Sequence, residues 1–203
     1  MALTLTSEAS ENHQVDGYGD VQVLNVGNLA CPVIEQGEWW FADGIDLQVP
    51  AECVGPDRYE SEIDEFRPDV VFALFGWTGG GGGQRLPDGS LVAPCDPEFD
   101  DRWRAGYQDL VDRLEQRTIV VISSVAPADI DAEGHDAPTR CLNAVVESLD
   151  ALVFDYGDWL CPDYDCSASS DLRADKVHFT EDVELRRGVV AAILVEVLPI
   201  AGY

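Results

Sequence analysis

Apolar positions along this chain follow two rhythms, one of continuous short runs and one of helical spacing. Asp69-Val70-Val71-Phe72-Ala73-Leu74-Phe75 is nearly continuous apolar sequence after Pro68, as expected of a strand buried on both faces. Thr118-Ile119-Val120-Val121-Ile122 and Ala151-Leu152-Val153-Phe154-Asp155 are two further runs of this kind. Between the first two, Phe99, Trp103, Tyr107, Leu110 and Leu114 recur at helical spacing from Phe99 to Glu115, with Asp96 as N-cap and Pro97 at the first helical position. Thr139 to Leu149 predicts a short helix. Glu181 to Leu198 predicts a final one, apolar around most of its circumference.

The N-terminal third is less regular. Residues 1–13 can form a short helix, with Leu3 and Leu5 available for packing. Val21-Gln22-Val23-Leu24-Asn25-Val26 alternates and predicts a strand ending at Gly27-Asn28. Residues 32–60 carry several prolines and glycines and read mostly as loop, although Trp39, Trp40 and Phe41 need something to pack against. The glycine run Gly79 to Gly83 follows the first apolar run, and Pro87-Asp88-Gly89 marks a turn. Helices alternating with buried strands predict one α/β domain over residues 1–203, a doubly wound parallel sheet with its loops at the strands' carboxyl ends. No internal repeat and no second domain is visible.

Composition sharpens this picture. With 203 residues, 46% of them apolar, the chain can bury one sizeable core. Its 39 acidic and 12 basic residues give a net charge of −27, and Lys176 is the only lysine. So acidic a surface repels phosphate, which argues against nucleic acid and anionic lipid as partners. The apolar stretch from Gly188 to Gly202 is broken by Glu196 and Pro199 and is too short to span a membrane. Met1-Ala2-Leu3-Thr4-Leu5 has neither the charged start nor the long apolar stretch of a signal peptide.

The six cysteines, Cys31, Cys53, Cys95, Cys141, Cys161 and Cys166, contain no Cys-x-x-Cys pair of the kind that marks zinc sites. A disulfide closing C-P-D-Y-D-C between Cys161 and Cys166 is the simplest reading. The full set allows fifteen pairings, among which Cys31–Cys53 and Cys95–Cys141 are the expected remainder. Disulfides imply an oxidising compartment; scattered buried thiols in a cytosolic protein are the alternative.

Candidate chemistry concentrates in Asp175-Lys176-Val177-His178-Phe179-Thr180, just ahead of the last helix. An aspartate three residues before a histidine in a tight loop can turn back and accept the imidazole Nδ1–H. It then fixes the tautomer and stabilises the imidazolium formed when the histidine takes a proton from a nucleophile. D-x-x-H on its own is commonly a surface pair; its place between the last strand and the last helix is what makes it a candidate site. Other signals weigh less. The glycine run lacks the Lys-Ser/Thr of a P-loop, since Gln84-Arg85 follows it. Asp163-Tyr164-Asp165-Cys166-Ser167 lacks the glycine and terminal glutamate of a calcium loop. His13 and His135 have no partner at a recognisable spacing and are expected on the surface. Asp155 and Asp158 could line a cleft, but capping the following turn explains them equally well.

Several stretches jointly resemble the SGNH (GDSL-like) hydrolases, above all the extracytoplasmic SGNH domains appended to membrane O-acyltransferases. They are Val23-Leu24-Asn25-Val26-Gly27-Asn28-Leu29-Ala30-Cys31, Pro68 to Gly76, Asp96-Pro97-Glu98-Phe99-Asp100, Trp159-Leu160-Cys161-Pro162 with Cys166, and Leu172 to Thr180. The resemblance implies a flavodoxin-like doubly wound parallel α/β sheet of SGNH hydrolase type. It makes His178 the catalytic base and Asp175 its orienting acid. The family's oxyanion-hole glycine aligns with Ala30, which keeps a backbone donor. Its oxyanion-hole asparagine aligns near Thr78, whose shorter hydroxyl is a weaker substitute. Neither a metal nor an organic cofactor is implied. The implied substrate is an acyl ester, of carbohydrate or cell-envelope glycan, and the implied location is extracytoplasmic: periplasmic, cell-surface or secreted. A membrane acyltransferase domain in the complete protein is the implied partner. An inactive SGNH-like module that binds glycan or a protein partner is the competing reading, favoured by the altered donor positions.

The family's first block runs from a strand into G-D-S and then into a helix opening x-A-x-x-L, and Met1-Ala2-Leu3-Thr4-Leu5 fits that opening. The nucleophilic serine is therefore expected one residue ahead of Met1; Ser7 and Ser10 read as ordinary helix residues. The first, central strand of the sheet would also be lacking. Val21–Val26 and Asp69–Phe75 are expected either to face each other across a vacant slot of roughly 9–10 Å or to have closed up and paired. The 203-residue chain is accordingly expected to be poorly stable or to aggregate, and to be inactive on short p-nitrophenyl esters. Extension upstream by about 10–15 residues is expected to restore cooperative unfolding and esterase activity together. A soluble 203-residue monomer that melts cooperatively with a complete sheet would favour the inactive module instead.

Overall fold

The computed structural model describes residues 11–24, 38–40, 46–48, 59–74, 83–127, 136–172 and 182–203. Its centre is a parallel sheet of β5 (Val70–Ala73), β8 (Ile119–Ser123) and β9 (Leu152–Phe154), in the order β5-β8-β9. Val70 stands opposite Ile119, and Ser123 opposite Phe154. The three apolar runs become strands because β-branched and aromatic side chains fill both sides of the pleat. Val71, Ala73, Val120, Ile122 and Val153 contribute to one core, which contains residues of α2 (Pro97–Leu114) and α3 (Asp136–Glu147). Val70, Phe72, Ile119, Val121 and Phe154 contribute to a second core on the opposite face, with α4 (Tyr156–Leu160) and α5 (Val183–Ile200). Helices thus cover both faces of a parallel sheet, the doubly wound α/β class expected from the sequence.

On the first face α2 presents a column of aromatic rings. Phe99 stacks on Trp103 at 5.9 Å between centroids, and Trp103 meets Tyr107 edge-on at 5.5 Å. Trp39 closes the column edge-on, 6.0 Å from Phe99 and 6.4 Å from Trp103. It belongs to a second sheet, antiparallel and ordered β4-β3-β6-β7, built from β3 (Glu38–Trp40), β4 (Asp46–Gln48), β6 (Gly83–Arg85) and β7 (Leu91–Val92). The expectation of mostly loop over residues 32–60 is corrected here, since β3 and β4 lie within it. Strands of three residues are too short to show a period; β4 takes its ladder from β3, and β3 also pairs with β6, some 45 residues away. Gly83, read with the glycine run as loop, is a strand residue. A Cβ there would overlap the Val92 carbonyl, so the close approach of β6 and β7 requires glycine.

The N-terminal strands also depart from expectation. Residues 11–13, expected in a helix, begin β1 (Glu11–Val15), which pairs antiparallel with β2 (Gly19–Val23) through a turn with Gly17 and Gly19 at positive φ. Val21–Val23 is a strand as predicted, but it belongs to this separate hairpin and not to the parallel sheet. Among the described residues, β5 has β8 as its only strand neighbour. Helix α1 (Glu60–Phe66) precedes β5, and Arg67 ends it in the left-handed region. The last helix is capped by Asp182, whose Oδ1 accepts from the backbone N–H of Glu184 and Leu185. It buries Val189, Val190, Ile193 and Val197 along one stripe, while Val183 and Leu185 stay exposed, so its apolar circumference is only partly used. Among the described residues no helix is long and apolar enough to cross a membrane.

Both predicted disulfides within the described residues are formed, Cys95–Cys141 and Cys161–Cys166; Cys31 and Cys53 lie outside them. The first spans 46 residues and the second 5. Chain-entropy reasoning assigns about 4 kcal/mol to the longer closure and about 2 kcal/mol to the shorter. Cys95–Cys141 therefore acts on the whole domain, and Cys161–Cys166 acts locally. Such crosslinks persist in an oxidising compartment.

His13 corrects another expectation, because it is only 4% exposed. Strand β1 packs against α5, with the Glu11 carboxylate 3.8 Å from His13 Nε2 and also 3.7 Å from Arg187 Nε. Burial lowers the imidazole pKa, nearby Glu11 opposes that shift, and Arg187 adds to it. The folded protein thus holds the proton less well than the unfolded chain does. Stability is complete above the unfolded value of about 6.5 and is lost as pH falls through it toward the depressed folded value. Urea unfolding should show wild type losing stability relative to His13→Leu between about pH 7 and pH 5, with a constant difference from pH 7 to 8. Parallel profiles across the whole range would contradict the buried neutral histidine.

Candidate functional site

In a doubly wound sheet, ligands bind where connections leave the carboxyl ends of the strands. Three connections do so here. Residues 74–82 follow β5 and hold Thr78 and Gly79–Gly82; residues 124–135 follow β8; residues 155–182 follow β9 and hold Asp175 and His178. The sequence-expected site residues His178, Asp175, Ala30 and Thr78 lie outside the described residues, as does the expected approach of His178 to the segment near Met1. The described part of this edge is the polar framework on which those connections begin and end.

That framework starts at Ser124, the residue after β8. Its N–H donates to the Phe154 carbonyl at 3.0 Å, extending the ladder one step beyond the strand. Its hydroxyl donates to Asp155 Oδ1 and accepts from Gly157 N–H, both at 2.7 Å. Asp155 Oδ1 also accepts from Asp158 N–H at 3.1 Å, which caps α4. The capping reading of Asp155 is therefore the one the structure adopts. Asp158 Oδ1 in turn accepts from Asp163 N–H at 3.2 Å. Gly157 sits where a Cβ would come within 2.6 Å of the Val125 carbonyl oxygen, so the β8 and β9 connections touch backbone to backbone at that point.

Asn143, on α3 and 5% exposed, joins the framework from the side. Its Oδ1 accepts from Val125 N–H at 2.7 Å and its Nδ2 donates to Val125 O at 3.0 Å, pairing both backbone groups of one loop residue. The same Nδ2 reaches the Tyr164 hydroxyl at 3.4 Å. Tyr164 lies inside the loop closed by Cys161–Cys166, beneath the Arg140 guanidinium at 3.9 Å from the ring centroid. Asp163 and Tyr164 both adopt positive φ, 54° and 64°. Neither is glycine, so each conformation costs about 1–2 kcal/mol and persists only because its surroundings impose it. Cys161 and Cys166 are buried among Val189 and Ile193 of α5. None of Ser124, Gly157, Asn143 or Tyr164 was singled out from the sequence. A polar residue on the apolar side of α3 was the one available signal, for Asn143.

Chemically, the described framework binds and orients backbone; it contains no described acid–base pair. Among the described residues no three of His, Cys, Asp and Glu converge as a metal-ion set. An open groove of about 840 Å³ lies at the opposite, amino-terminal edge of β5 and β8, lined by Asp64, Arg67, Asp69, Glu115, Arg117 and Thr118 among others. Its charges are mixed and partly self-paired, with Arg117 Nε 3.2 Å from Asp64 Oδ1. It stands at the end of the strands opposite the carboxyl edge.

No protein-family model matches the chain, and no curated protein matches it. Among solved structures it is similar to a point mutant of an acetyl-xylooligosaccharide esterase from Geobacillus, with a TM-score of 0.43 and 18% sequence identity. The match covers 72% of this chain and 65% of that one, so the chain spans less than two thirds of the esterase's length. Superposition this loose settles neither family nor activity, and the fold class rests on the parallel sheet and its helices.

Proposed function

We propose that this chain is the catalytic part of an SGNH-type serine esterase or O-acyltransferase acting on acyl esters of carbohydrate or cell-envelope glycan. The observation that carries this reading is the place of the D-x-x-H block. By sequence, Asp175 and His178 fall between β9 and the Asp182 cap of α5, and sheets of this class bind ligands where connections leave the strands' carboxyl ends. The two disulfides favour work outside the cytoplasm, at the cell surface, in a periplasm or in secretion. A membrane acyltransferase domain would be the natural partner in the complete protein.

In the proposed reaction, the serine expected ahead of Met1 attacks the ester carbonyl carbon through Oγ while His178 takes its proton. Asp175 accepts the imidazole Nδ1–H and stabilises the imidazolium. Backbone N–H at Ala30 and the Thr78 hydroxyl or its neighbouring loop donate to the oxyanion. Collapse breaks the bond to the alcohol, which leaves with the proton from His178. Water or a sugar hydroxyl then attacks the acyl carbon as His178 takes its proton, and the acyl–Oγ bond breaks as His178 gives that proton back to the serine, releasing the acid or the new ester. The alternative, an inactive module that binds glycan or protein, draws on the alanine and threonine standing at the two donor positions.

Steady-state assays on p-nitrophenyl acetate, with the chain extended upstream to include the serine, test the choice. His178→Ala should lower kcat on the order of 10⁶-fold and Asp175→Asn on the order of 10⁴-fold, with little change in KM. Activity that survives both substitutions would remove the assigned roles. A folded, extended protein that is inactive but retains a glycan would establish the binding module.

A further inference from the structure

We propose that the β1–β2 hairpin is an acid-released strap over α5, with buried His13 as its trigger, independently of the proposed chemistry. Among the described residues the hairpin is a two-stranded sheet of its own and shares no ladder with either larger sheet. Two strands alone are marginal in water, so its place depends on the helix it lies along. Two ties mark that path. Glu11 Oε2 stands 3.7 Å from Arg187 Nε near the start of α5, and the Tyr18 hydroxyl donates to the Tyr203 carbonyl at 3.4 Å just past its end. Glu11 to Tyr18 along a strand and Arg187 to Tyr203 along a helix are each about 24 Å. The hairpin therefore runs most of the length of the helix.

Alternation along β1 turns Glu11, His13 and Val15 to one face, and of these only Val15, 3% exposed, is apolar. His13 beside it is as deeply buried, its Nε2 has no hydrogen-bond partner, and the Glu11 carboxylate stays 3.8 Å away. The other charges divide by element. On β2, Val21 stands opposite His13, and neighbouring Asp20 is bonded to Gln14. On α5, Arg187 opposes a proton on His13 and is itself 3.4 Å from exposed Glu184, while Arg186 is a second cation on the same turn. Burial and Arg187 together outweigh Glu11, so the docked imidazole is neutral and its pKa lies below the ordinary value. Undocking returns His13 to water and to a pKa of about 6.5. Docking is thus at full strength above that value, and proton uptake favours the undocked form as pH falls through it. Release bares the α5 stripe between the two ties, where buried Val190 and half-buried Leu194 and Leu198 follow Arg187 at helical spacing.

Native-state hydrogen exchange reads the strap amide by amide, as protection factors corrected for the intrinsic rate at each pH. Amides from Asn12 to Val23 should exchange through a local opening, so 0.5 M urea should change their protection less than about twofold. Amides of β8, which open only with the whole domain, should lose about fivefold in the same urea. From pH 7 to pH 5 hairpin protection should fall at least about threefold, with about tenfold per pH unit as the ceiling for one proton. His13→Leu should abolish this fall, and Arg187→Met, which removes the opposing cation, should reduce it. Hairpin amides that follow β8 in urea overturn the strap. So does a fall that survives His13→Leu or, where that variant has lost the protection of β8 and is not folded, a fall undiminished in Arg187→Met.

Discussion

Burial of β8 on both faces is the constraint from which the domain is organised. Val120, Val121 and Ile122 are at most 1% exposed, which needs a parallel neighbour on each edge and a helical layer above and below. Parallel neighbours need crossovers, and these contain β6, β7 and α2 between β5 and β8, and α3 between β8 and β9. Their length brings long segments back to the same edge of the sheet. By sequence, the candidate residues Asp175 and His178 fall after β9, outside both crossovers.

The two cores carry different parts of this arrangement. The α2–α3 side is aromatic, interlocked and crosslinked by Cys95–Cys141, and it fixes the small sheet through Trp39. The α5 side contains the second disulfide, the hairpin against the helix, and the end of the connection that bears the candidate base. Asn143 belongs to the first side and Tyr164 to the second, and the polar bridge between them runs around the carboxyl edge of the sheet. A buried amide that satisfies a loop residue on both its backbone groups is costly to remove, at about 1–3 kcal/mol for each group left unpaired. Such a group makes a dependable fixture between layers.

What could be read in the sequence was what repeats locally. The apolar runs of β5, β8 and β9 and the five-residue aromatic and leucine stripe of α2 each carry their period within sixteen residues, and each was assigned correctly. The Cys161–Cys166 pair was legible for the same reason. Elements whose partners lie far away were mostly not, although Cys95–Cys141 was paired correctly. His13 looks like a surface residue until α5, more than 160 residues downstream, covers it. Trp39 looks like loop until Phe99 and Trp103 explain its burial. The candidate site divides along the same line: its D-x-x-H block is a local pattern, whereas the framework of Ser124, Asn143, Gly157 and Tyr164 comes from four separate positions whose meeting no spacing encodes.

The Cys95–Cys141 bond has a consequence for a protein that meets proteases. It turns residues 95–141, and with them α2 and β8, into a closed covalent ring. A single cleavage of any peptide bond inside that ring, whether in a loop or at a frayed helix end, releases no fragment. Both new ends remain tethered and can re-dock as if the chain were intact. Release takes either two cuts in the ring or one cut together with a reductant, so this half of the domain is protected by its connectivity as well as by its packing.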